Sequence, residues 1–113
     1  MLKVYLKMRP IPKKLRERLS RDPFMKVCIY NNADCSGRVE WEHAFIYSGR
    51  QVNECWAILP CCYAHHRGGL MDKDYNRYMG LSRASDEDLS KYPKADFKQM
   101  KNYLIKKYDK ETT

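Results

Sequence analysis

The chain has 113 residues, 43% of them apolar and 12% aromatic, which is the composition of one globular domain rather than of a disordered chain. It contains no apolar run of about 18 residues, so a membrane-spanning helix is excluded, and its first ten residues lack the long apolar stretch of a secretory signal. The net charge of +8 is uneven: residues 1–27 carry nine Lys/Arg against two acids, residues 28–66 two against four, and residues 67–113 eleven against eight. Basic flanks around a mildly acidic centre suit a polyphosphate partner, and nucleic acid is the expected one.

In chain order, Val4 and Leu6 alternate with polar neighbours, so residues 2–7 read as a short strand. Pro12 opens a helix through Leu15 and Leu19, which Asp22-Pro23 ends. Lys13, Lys14, Arg16 and Arg18 face outward from it, and Lys13 and Lys14 could lie along a phosphate backbone. Cys28 to Gly37 reads as a metal-binding loop with a turn over residues 31–34. Residues 38–43 alternate as a strand ending at His43, residues 48–51 are loop, and residues 56–60 form a second strand closed by Pro60. A short helix starts at Tyr63 and is interrupted at Gly68-Gly69. Asp72 caps a helix containing Tyr75, Tyr78 and Met79, and Ser85 precedes an acidic first turn at residues 86–88. After Pro93 a last helix repeats Phe97, Met100, Leu104 and Tyr108 as a core stripe, and residues 109–113 are expected to fray. The expected architecture is a single α+β domain: a basic segment over 1–27, a zinc-stabilised core over 28–67 and a helical segment over 70–108.

All three histidines, His43, His65 and His66, fall within the central stretch, together with Cys28, Cys35, Cys61 and Cys62. Thiolate and imidazole together suit zinc, and Cys62-x2-His65 is standard ligand spacing. Cys28, Cys35, Cys62 and His65 are therefore the expected structural zinc ligands. Cys61 competes with Cys62, and the turn that delivers Cys62 and His65 together favours the latter. Cys55 has no partner at useful spacing and is expected to be buried. An odd cysteine count with metal-type spacing predicts a reducing, cytoplasmic compartment. Successive helical residues differ by about 100° in direction, so with His65 on zinc, His66 can turn toward His43 and its neighbour Glu42.

The run Glu42-His43, Gly49, Asn53, Trp56-x3-Pro60-x-Cys62-x2-His65-His66 resembles the HNH endonucleases, the ββα-metal finger nucleases, and in particular the small HNH proteins common in phage genomes. The resemblance spans about residues 28–67. It implies hydrolysis of DNA phosphodiester bonds (RNA remaining open), with His43 as general base and a catalytic Mg2+, Mn2+ or other divalent ion held by His66. Glu42 stands where the family has an Asp ligand to that ion. Asn53 is the candidate for the middle Asn that supports the base, and Arg50 and Arg67 could steady the scissile phosphate. The alternative is a zinc-stabilised nucleic-acid-binding module without catalysis.

Overall fold

Pro12 fixes the backbone at the start of α1 (Lys13–Arg21), which buries Leu19 and leaves Lys13, Lys14, Arg16 and Arg18 exposed, as the sequence predicts. The computed structural model describes residues 10–109; the strand expected over residues 2–7 and the residues beyond 109 lie outside them. Asp22 ends α1 and accepts from the Phe24 N–H, opening a single 3-10 turn over Pro23–Lys26. A loop with the first two cysteines then leads to β1 (Val39–His43).

β1 pairs antiparallel with β4 (Ile58–Cys62), with Val39 opposite Cys62 and His43 opposite Ile58. The second strand thus begins two residues later than expected and runs through Pro60 to both cysteines. The reason is the hydrogen-bond parity. Ala44 N–H donates to Ala57 C=O and Tyr63 N–H to Arg38 C=O, so Trp41–Pro60 is a non-hydrogen-bonded pair. The missing N–H of Pro60 points away from β1, and its carbonyl accepts from Ile29 N–H at 2.9 Å. Between these strands, β2 (Ile46–Tyr47) and β3 (Arg50–Gln51) form a tight hairpin where the sequence reading has only loop. Ser48 and Gly49 both have positive φ (53° and 75°), the conformation that two-residue hairpin turns require.

α2 (Tyr63–Arg67) follows β4 directly and ends at Gly68. The C-terminal part is helical as expected: α3 (Lys73–Ser82) capped by Asp72, α4 (Asp86–Ser90) with a full capping box on Ser85 and Asp88, and α5 (Phe97–Asp109). The chain is thus α+β. β4 is buried along its whole length because both faces are covered. Ile58 packs with Leu19 and Met25 on one side, and Leu59 and Cys61 pack with Ile29, Tyr75 and Met79 on the other. A third cluster joins the hairpin to α3–α5 through Phe45, Val52, Trp56, Leu81, Phe97 and Leu104. Among the described residues, no helix is long and apolar enough to cross a membrane.

Candidate metal centre and catalytic cluster

Four side chains from three places in the chain meet beside the β4–α2 junction. Cys28 and Cys35 come from the loop before β1, Cys62 is the last residue of β4, and His65 lies one helical turn further on in α2. One ligand atom from each lies within 4.8 Å of all the others. His65 Nδ1 is 3.8 Å from Cys28 Sγ, 3.7 Å from Cys35 Sγ and 3.1 Å from Cys62 Sγ. Zinc with bonds of about 2.3 Å to sulfur and about 2.0–2.1 Å to nitrogen would space such atoms about 3.5 Å apart in a tetrahedron. The donor set and its spacing therefore fit a metal such as zinc.

The electrostatics separate the adjacent cysteines. Burial among apolar neighbours pushes the Cys61 thiol up to about 12, and its sulfur accepts from Asn76 Nδ2 at 3.6 Å. Cys62 is also penalised by burial, but hydrogen bonds from the His65 ring and from the His65 and Ser36 backbone outweigh this and bring it down to about 6. Cys62 is the thiol ready to become a thiolate ligand, and Cys61 stays a core residue. Cys55 is partly buried against the Leu19–Met25–Ile58 cluster. Tyr30, which the sequence reading does not single out, stacks on His65 with ring centres 4.2 Å apart and planes within 8°. Its hydroxyl accepts from Asp72 N–H at 2.9 Å and bonds to the Asn76 side-chain oxygen.

The other two histidines lie around the C-terminal half of β1. Strand alternation sends Glu40 and Glu42 to one face and Trp41 and His43 to the other. On the first face His66 Nδ1 is 2.8 Å from Glu40 Oε1, and His66 Nε2 is 3.5 Å from Glu42 Oε2. Glu40 also takes Arg67 Nε at 3.0 Å and Arg38 Nε at 3.4 Å. The His66 hydrogen bond, reinforced by these guanidiniums, holds its carboxyl below the usual range. Glu42 shifts the other way: burial raises it, against the opposing charges of His66, His43 and Lys73.

On the second face, His43 Nε2 meets Asn53 Oδ1 at 2.8 Å, and Asn53 Nδ2 donates to Pro10 C=O at 3.3 Å. With Nε2–H donating to the amide oxygen, neutral His43 has Nδ1 as its proton acceptor. Glu42 and His43 both line a cleft of about 430 Å³ at the strand end, while His66 lines a neighbouring one of about 440 Å³ with Arg38, Glu40 and Arg67. The Glu42–His66 pair sits where the two clefts adjoin.

Of the residues expected to contact nucleic acid, Arg67 is engaged by Glu40, whereas Arg50, Lys13 and Lys14 are exposed on β3 and α1. Glu40 is the functional candidate the sequence reading omits. The signal was available: Glu40 and Glu42 are two apart on a strand and must share a face. Among the described residues, the Cys28–Cys35–Cys62–His65 group is the one set of three or more ligand-type side chains close enough to hold a metal. No family model, curated protein or solved structure matches the chain.

Proposed function

We propose that this chain is a metal-dependent endonuclease of the HNH type, built on β1, β4 and α2, which hydrolyses DNA phosphodiester bonds. The observation that carries the reading is the combination at the end of β1: His43, fixed by Asn53, lines the same cleft as its sequence neighbour Glu42, which stands 3.5 Å from His66 across the opposite face of the strand. Two ligand atoms on one divalent cation, with bonds of about 2.1 Å, stand about 3.0–3.4 Å apart, so this pair suits a shared ion. Glu42 and His66 are the residues that would hold it, and the ion would supply charge neutralisation at the phosphate and leaving oxygen.

The protein's own groups account for the rest. Asn53 selects the tautomer in which His43 Nδ1 takes a proton from the attacking water. Glu40 accepts from His66 Nδ1–H, which orients the ring and leaves Nε2 as its donor toward a cation. The His66 hydrogen bond, helped by Arg67 and Arg38, favours the ionised form of Glu40, and the two guanidiniums line the second cleft, toward which a phosphate would be drawn. The Cys28–Cys35–Cys62–His65 group fixes the β4–α2 junction and so the direction in which His66 projects. The phage-type affiliation is part of the same proposal and rests on the Glu42–His43 and Cys62-x2-His65-His66 run.

The test is nicking of supercoiled plasmid with Mg2+ or Mn2+, against EDTA, with wild-type protein and His43→Ala. Wild type should nick only with added divalent ion, and the variant should lose about 10²–10⁴-fold in rate with zinc content and melting temperature unchanged. Full activity of the variant overturns the base assignment. A wild-type chain that binds DNA yet fails to nick it whichever divalent ion is added favours the alternative, a zinc-stabilised binding module without catalysis.

A further inference from the structure

The 430 Å³ cleft holding Glu42 and His43 has an apolar floor that phosphodiester hydrolysis does not require. Phe45 and Phe97, buried at 3% and 5% exposure, and the partly exposed Met71 and Met100 line it. At its rim stand Lys73 and Arg77, one turn apart on α3 and so on one side of that helix. Asp74 offsets little of this charge: it lies 3.9 Å from Arg77 Nη1 and is drawn to Lys107 Nζ at 3.1 Å. The opening thus combines an apolar base, thioethers and aromatic edges with two cations, next to the proposed general base.

That combination matches a nucleotide with its base turned inward and its phosphate outward. The volume falls in the range of about 300–1,000 Å³ typical of small-molecule sites. A paired base inside a duplex cannot reach an apolar floor, whereas an unpaired one can leave water for it. Methionine adapts to different shapes, so the floor would accept any of the four bases. Resting on the nuclease reading above, we propose that this cleft seats an unpaired nucleotide adjoining the scissile bond, making single-stranded DNA the preferred substrate over duplex. Met71 and Met100 pack on the base, and Lys73 and Arg77 hold its flanking phosphates.

The experiment is fluorescence anisotropy of the full, zinc-loaded chain at fixed salt without added magnesium or manganese, so that binding is read apart from cleavage. The probes are a 12-nucleotide single strand, its blunt duplex, and a set of single strands each with one abasic position. Abasic probes keep every phosphate and lose one base, which isolates the floor from the charges. The single strand should bind at least about tenfold tighter than the duplex, and loss of one base should weaken binding about fivefold or more at one register. Arg77→Glu should abolish the preference while its melting temperature stays within a few degrees of wild type. Equal or tighter binding of the duplex, or indifference to every abasic position, overturns the seat. Absence of binding to all probes overturns it together with the nucleic-acid reading. The two proposals separate cleanly: a chain that shows the abasic effect but never cleaves keeps the seat and loses the nuclease. One that cleaves duplex and single strand alike, with no abasic effect, does the reverse.

Discussion

Removing metal from the Cys28–Cys35–Cys62–His65 group is expected to be the most disruptive single perturbation of this fold. A four-coordinate ion would close three successive loops; the one from Cys62 to His65 is a single turn of chain, and the two larger ones, from Cys28 to Cys35 and from Cys35 to Cys62, join residues seven and twenty-seven positions apart. Treating each of these two as a cross-link, the chain entropy withheld from the unfolded state contributes about 2.5 kcal/mol for the short loop and about 3.6 kcal/mol for the long one. The total of about 6 kcal/mol is comparable to the whole stability of a small domain, about 5–15 kcal/mol. At about 4 °C per kcal/mol for a chain of this size, the chelated protein should melt about 25 °C below the zinc-loaded one. The assay is metal analysis of purified protein, expected to give about one zinc per chain, followed by circular-dichroism melts under reductant before and after dialysis against a strong chelator. A chelated chain that melts within about 5 °C of the loaded one would refute the reasoning, because the loops would then be held by packing alone.

Three further outcomes follow from the geometry. Glu40→Gln keeps the shape but weakens the acceptor for His66 Nδ1–H; a loss of about 10–100-fold in affinity for the catalytic divalent ion is expected, read from the metal dependence of nicking, and an unchanged curve contradicts the orienting role. Burial raises Glu42 above its ordinary 4.5, so the folded state holds its proton more tightly than the unfolded chain, and this carboxylate reduces stability as pH rises through that window. In zinc-loaded protein without added magnesium, the melting temperature of Glu42→Gln relative to wild type should therefore rise as pH climbs above Glu42's ordinary 4.5, and in separate assays with magnesium present the variant should cleave more slowly; a relative decrease in melting temperature would reverse the sign. Gly80→Ala adds a Cβ 2.7 Å from the Trp56 carbonyl oxygen and 2.9 Å from the Phe45 ring, so backbone must shift. A loss of about 1–3 kcal/mol in a urea titration is expected, and neutrality would mean that this contact relaxes freely.

What the sequence made legible was the local part of the structure. Asp72 and Ser85 announce their helices because a cap is a contact between residues two or three apart. Cys62 and His65 announce a metal site for the same reason: a single turn brings both to one point. Pro60 misled because a proline's effect on a strand depends on which way its nitrogen faces, and that parity is set by the partner strand rather than by the proline. The β2–β3 hairpin was missed since each strand has two residues, too few for alternation to register, although Ser48-Gly49 is a turn signal. Tyr30 had no local signature at all. Its stacking partner His65 and its hydrogen-bond partners Asp72 and Asn76 are all more than thirty positions away. Asn53, offered by resemblance alone, meets His43 across ten residues of hairpin.

The sequence Cys61-Cys62-Tyr63-Ala64-His65-His66 sends near neighbours to three different environments, and elementary geometry explains how. Strand alternation turns Cys61 into the apolar cluster and Cys62 to the other side; the switch to helix then carries His65 over Cys62 and swings His66 away to the Glu40–Glu42 face. The same metal-side cluster reaches the 430 Å³ cleft through Tyr30. Its ring lies on His65, and its hydroxyl is tied to Asp72 and Asn76, which respectively cap α3 and line the 430 Å³ cleft. Lys73 and Arg77 stand on that same helix. One buried Cys/His group therefore orients His66 through α2 and steadies the rim of the neighbouring cleft through Tyr30. A chain of modest core can hold two clefts in register this way, because both are referenced to one Cys/His group rather than to each other.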